Sequence, residues 1–185
     1  MLTLEFPPFF FIAGVFGDGG AVKVLHSFRI HIHGMFVYGF DHDDWQTVKN
    51  TVRFAKKSRL NSTQFLILTP LPGSELFDRM RANKRILFND WSLYDAHHVV
   101  FKPVKLSLFG LQWSQIFSHK KFYSRVESLK KLLNFRLIDF GIAHYARKLN
   151  RLWKKRNKVF PKAPAFTAVA LLNVPGIPEY LVTPF

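Results

Sequence analysis

Residues 34–44 read GMFVYGFDHDD, an apolar run between two glycines that empties abruptly into four charged or titratable side chains. A near-continuous apolar run over 35–40 suits a strand in a sheet covered on both faces. Asp43 or Asp44 is then placed to cap a helix, because a carboxylate there can accept from the free backbone N–H groups of the first turn. Trp45, Val48, Val52 and Ala55 follow at spacings of three and four, which makes one apolar helical stripe. KKSRLN closes that helix with cations suited to its C-terminal dipole. The stretch therefore predicts a strand followed by a helix.

The same plan extends to either side. Upstream, Val22, Leu25 and Phe28 have helical spacing, and IHIHG leads into the strand. Downstream, STQFLILTPLPGSELFDRM predicts a short strand over 65–68, a proline-punctuated turn over 70–73, and a helix capped by Ser74 with Glu75 in its first turn. Strand and helix alternating at this spacing mean βα units and a parallel sheet, hence an α/β fold. Ligands in such sheets sit at the carboxyl ends of strands, so residues 39–44 and 69–74 share the expected rim.

Beyond Met80 the character changes. NDWSLYDAHHVVFKP reads as an aromatic, histidine-bearing loop, and 106–153 as two or three amphipathic helices. Apolar positions recur at Leu129, Leu132, Leu133, Ile138, Ile142, Tyr145, Leu149, Leu152 and Trp153, with cations on the other faces. From Phe160 on, five prolines argue for irregular chain. The organisation this suggests is an unplaced segment over 1–20, a βα region over 21–90, a basic helical extension over 91–160 and an irregular tail over 161–185.

The chain has 185 residues, 48% of them hydrophobic, which is ample for a packed core, and no cysteine. Disulfide scaffolds and thiolate metal sites are thereby excluded. The opening segment lacks a basic n-region and a small-residue cleavage site, which argues against a signal peptide, and no stretch reaches the ~20 apolar residues of a membrane span. A soluble, cytoplasmic chain is the expectation. The net charge of +15 is uneven: residues 119–162 hold 14 Lys/Arg against two Asp/Glu.

HIHGMFVYGFDHDD, QFLILTPLPGSELFDRM and ILFNDWSLYDAHHVVFKP, taken in this order, resemble the late core of radical S-adenosylmethionine enzymes of the cobalamin-binding class. LKKLLNFRLIDFGIAHYARKLNRLWKKRNK resembles the C-terminal extension behind that core. The resemblance covers roughly residues 21–159. It implies a partial (β/α) barrel fragment followed by a mostly helical extension. In the parent family it also implies S-adenosylmethionine, a 4Fe-4S cluster and cobalamin, with radical chemistry, often methyl or group transfer. The cysteines that would hold the cluster are absent, so this chain alone is expected to be inactive and to bind none of these groups stably. The missing N-terminal part of such an enzyme is the expected partner.

By the same resemblance Val37 and Gly39 contact the adenosyl part of S-adenosylmethionine, and Leu68 and Thr69 carry the turn whose backbone reads the adenine edge. Tyr94, Asp95 and His97 are candidates for substrate contact. Each has a plainer alternative: Gly39 easing a strand end, an Asp capping a helix, Pro70 and Pro72 stiffening a turn. His31 with His33, and His97 with His98, invite a metal site, but no sequence-near carboxylate completes either pair. The basic helices admit a second reading, a module binding nucleic acid through phosphates or lying on anionic lipid, although cations spread around helices with an apolar stripe are the usual look of a solvated face.

Overall fold

In the computed structural model, which describes residues 20–28, 30–160 and 162, helix α1 (Gly20–Ser27) precedes strand β1 (His33–Tyr38), helix α2 (Trp45–Lys57), strand β2 (Ser62–Ile67) and helix α3 (Glu75–Ala82). A single 3-10 turn, Trp91–Leu93, leads to three helices: α4 (Leu108–Phe122), α5 (Arg125–Leu133) and α6 (Leu137–Arg156). The expectations for 1–19 and for the tail from 163 onward lie outside the described residues.

β1 and β2 pair in parallel with Met35 opposite Gln64 and Val37 opposite Leu66, so the α/β reading holds. Because side chains alternate along a strand, Phe36, Tyr38, Phe65 and Ile67 are buried together. Phe65 stacks with Phe36 and Tyr38, at 5.4 and 6.0 Å between centroids. Met35 stands on the other face and is 50% exposed, with Val37, Gln64 and Leu66 partly so. The apolar run therefore lines a sheet covered on one face, where two covered faces were expected.

The expected partial barrel is also corrected: among the described residues the sheet has two strands and does not curve into a barrel. The free edge of β2, where a further strand would pair, is occupied by other groups. Ile67 N–H donates to the Ala96 carbonyl at 2.8 Å, and the Tyr123 hydroxyl bonds both backbone groups of Thr63. Helix α4 packs across β2 and α2, and α6 packs on α5. One core cluster joins Phe36, Val48 and Phe65 to Val99, Phe101, Leu111 and Ala143.

The caps follow the chemistry read from the sequence. Asp44 caps α2, accepting from Thr47 N–H at 2.7 Å, and Ser74 caps α3, accepting from Phe77 N–H at 3.2 Å. The long apolar series on α5 and α6 is another matter. Ile142 and Trp153 pack against the core, but Leu129, Leu133, Ile138, Tyr145 and Leu149 are exposed, because the buried positions of α5 and α6 are Ser128, Asp139 and Ala143.

Candidate functional site

The strand-end residues come together as expected. Leu68 N–H donates to the Tyr38 carbonyl at 2.8 Å, extending the parallel ladder beyond β2 and bringing Leu68 and Thr69 beside Gly39. Gly39 has φ +117°, a conformation that side-chain-bearing residues rarely adopt. A Cβ there would stand 3.0 Å from the Phe101 ring and 3.3 Å from Leu68 Cβ. Asp43 makes this turn possible: one carboxylate oxygen accepts from Gly39 N–H at 2.9 Å and from Phe40 N–H at 3.0 Å. Burial pushes the Asp43 carboxyl up, against the downward pull of those two amides. The acidic edge thus ends a strand and caps a helix, with Asp43 in the first role and Asp44 in the second. Thr69 is half-buried, its hydroxyl donating to the Ile67 carbonyl at 3.1 Å.

A cavity of about 650 Å³ opens along the edge of β2, between α4 and α6. Asp95, His97, His98 and His119 line it, His33 and Arg156 add two further titratable groups, and Tyr123 and Trp153 supply aromatic walls. The loop that carries the first three is fastened by Gln112, which is fully buried. Its amide oxygen accepts from Val99 N–H at 3.1 Å and its amide nitrogen donates to the His97 carbonyl at 2.8 Å. Asp95 folds the loop on itself, one oxygen accepting from the His97 amide, the His98 amide and His98 Nδ1 at 2.8, 3.1 and 2.9 Å. Burial opposes the Asp95 charge, yet these hydrogen bonds hold its carboxyl below the usual carboxylate range. His98 Nε2 faces Asn157 Oδ1 at 3.0 Å, and its ring packs against Trp153, which ties the loop to the end of α6.

His97 and His119 are the neutral bases of this cavity. Burial, with Asp95 acting the other way, leaves the His97 imidazole below its ordinary pKa. Its Nδ1 faces the Gln115 amide nitrogen, a donor, so in the neutral ring the proton sits on Nε2. His119 lies edge-on to Phe65 with 5.3 Å between ring centres, and burial, reinforced by nearby His97, pulls its pKa down to about 4. At neutral pH both rings are uncharged and able to exchange hydrogen bonds with a polar ligand.

Of the residues expected to meet a substrate, Asp95 and His97 line the cavity and Tyr94 does not. The Tyr94 hydroxyl is committed to the Phe88 carbonyl at 2.7 Å and its ring to Trp91. Sequence reasoning missed Gln112, Gln115, His119 and Tyr123. The one available signal was polar residues recurring at spacings of three and four on an otherwise apolar helix, residues 112, 115 and 119. His31 and His33 do not form a metal site with neighbours: among the described residues no group of three or more His, Cys, Asp or Glu is placed to hold a metal ion. No described helix is long and apolar enough to cross a membrane.

The chain is similar to three curated proteins named as methyltransferases. It is 31% identical over 133 residues to "Bacteriochlorophyllide d C-12(1)-methyltransferase" of Chlorobaculum tepidum, an alignment covering 69% of this chain and 29% of that protein. It is 28% identical over 114 residues to "Bacteriochlorophyllide d C-8(2)-methyltransferase" of the same organism, covering 60% and 25% of the two chains. Identity is 37% over 82 residues with an uncharacterized methyltransferase of Pyrococcus horikoshii, covering 44% and 18%. The chain thus spans less than a third of the length of each of these relatives. No family model matches, and no solved structure matches.

These relatives correct the assignment drawn from the resemblance. They are named for methyl transfer, and neither iron–sulfur chemistry nor cobalamin appears in those names. A four-iron cluster is held by thiolates, and this chain has none to offer. The reading of the chain as a fragment of a radical S-adenosylmethionine enzyme of the cobalamin class is therefore withdrawn. So is its alternative, a basic helical module for nucleic acid or anionic membrane, which none of the three relatives supports.

Proposed function

We propose that this chain forms part of an S-adenosylmethionine-dependent methyltransferase, with the imidazole-lined cavity on the edge of β2 receiving the methyl acceptor. The observation that carries this reading is the 31% identity over 133 residues to a protein named as a methyltransferase. S-adenosylmethionine supplies an electrophilic methyl group when bound. Val37, Gly39, Leu68 and Thr69 are the residues proposed to meet it. The half-exposed face carrying Val37 and Leu66 suits a flat adenosyl group, and Gly39 contributes shape, since its amide is already held by Asp43. In the cavity, His97 and His119 hydrogen-bond the acceptor without adding positive charge, and His97 presents its proton at Nε2. Two of the relatives are named for a bacteriochlorophyllide acceptor, and a molecule of that kind is the first acceptor to try.

The test is equilibrium dialysis of the full chain against methyl-labelled S-adenosylmethionine. Saturable binding that weakens at least tenfold in Val37→Asp is expected, with Tyr94→Phe unaffected. An absence of saturable binding up to millimolar cofactor overturns the proposal, as does equal weakening in both variants.

A further inference from the structure

Two smaller cavities lie among the helices, and they differ in how their cations are neutralised. One, of about 370 Å³, lies between α2 and α5. There Lys56 and Lys130 both reach Glu127, at 3.5 and 3.4 Å, and Arg136 holds Asp139 at 2.6 Å. The other, of about 330 Å³, lies where the end of α4, the start of α5 and the middle of α6 meet. Its wall carries Lys120, Arg125, Arg147, Arg151 and Lys154 and no carboxylate. Among the described residues none of these five makes an ion pair. Arg147 is fixed in the cleft wall by the Tyr123 carbonyl at 3.3 Å and by the hydroxyl of Ser128, both neutral acceptors that orient its guanidinium without cancelling its charge.

Like charges gathered around a concave, low-dielectric wall focus a positive potential there. Guanidinium forks and ammonium points together match an anion that offers several oxygens. Five cations against no acid also call for more than the single charge of a carboxylate. The space is a half-open cleft of about 330 Å³ among three helices, which is the scale of a small ligand group and not of a nucleic-acid backbone. We propose that this cleft binds a phosphate or diphosphate group of a small molecule. The cleft shares His119, Tyr123, Ala146 and Asn150 with the imidazole cavity, so the uncharged part of such a ligand has a wall to follow. This inference is independent of the methyl-transfer reading.

The experiment is calorimetric titration of the full chain with inorganic pyrophosphate at ~0.15 M salt, where exposed charges are screened within about 8 Å. Saturable one-site binding is expected. The double variant Arg151→Gln with Lys154→Gln should weaken it at least tenfold. Lys148→Gln with Lys155→Gln, which removes the same charge from α6 outside the cleft, should leave it within twofold. If the first double variant fails to fold by circular dichroism, Arg125→Gln, an exposed position on α5, takes its place with the same expectation. No saturable binding overturns the proposal, and so does equal weakening in both double variants. Binding to long duplex DNA that pyrophosphate does not displace also overturns it, and points to an extended phosphate-contact surface.

Discussion

Tyr123 closes the free edge of β2 by bonding both backbone groups of Thr63: its hydroxyl accepts from the Thr63 amide and donates to the Thr63 carbonyl, each at 2.8 Å. One phenol thus satisfies an edge position that another strand would otherwise have to pair, and it joins the end of α4 to the sheet. Burial pushes the phenol pKa up, so the hydroxyl keeps the proton it donates. Tyr123→Phe removes both bonds while leaving the ring, and should destabilise the chain by about 2 kcal/mol. Urea unfolding measures this, and a midpoint equal to that of the unmodified chain would show the edge satisfied by other means.

The His119 pKa of about 4 sets a pH window. Above pH ~6.5 the ring is neutral in both the folded and unfolded chain and contributes no pH dependence. Below that, the unfolded chain takes up the proton first, so stability falls as pH drops from ~6.5 towards 4, by at most about 3 kcal/mol. His97, also lowered by burial, adds to the same slope. His119→Phe should flatten the profile in thermal unfolding followed between pH 7 and 4.5. An unchanged slope in that variant would place the titration elsewhere.

Asp43 accepts two amides on one oxygen, so what the turn needs is the acceptor more than the charge. Asp43→Asn keeps a carbonyl oxygen there and should cost less than about 1 kcal/mol, whereas Asp43→Ala leaves two amides unpaired and should cost about 2 kcal/mol or more. Chemical denaturation of the two variants side by side tests the ordering. Equal losses would mean that the carboxylate charge itself matters.

Gln112 holds the histidine loop by its two ends. Gln112→Leu fills a similar volume but orphans the Val99 amide and the His97 carbonyl, with a cost of about 2 kcal/mol. It should also broaden or shift the imidazole resonances of His97 and His98 in NMR spectra while leaving His42, an exposed residue just past the end of β1, unmoved. Preserved His97 and His98 resonances would show that Asp95 alone positions the loop.

The sequence by itself determined the local elements: a strand ending at an acidic edge, a helix capped by Asp44, a second strand and a helix capped by Ser74, then basic helices. Those features rest on period, capping chemistry and turn residues, which act within a few positions of the chain. It also placed Asp95 and His97 as candidates, and Gly39 beside the 68–69 turn. The tertiary structure alone decided what covers each surface. The 35–40 run does not say whether one or both faces are buried, because that depends on what docks there. Of the apolar series on α5 and α6, Ile142 and Trp153 pack against the core while Leu129, Leu133, Ile138, Tyr145 and Leu149 stay exposed, because Ser128, Asp139 and Ala143 face inward. The cavity joins loop histidines to Gln115, His119 and Trp153, residues 18 to 58 positions away from His97 or Asp95 along the chain, and packing at that range follows from which helix lies across which strand. Charge pattern predicted a solvated basic face. Only the crossing of α4, α5 and α6 gathers five of those cations around one cleft, none of them in an ion pair among the described residues.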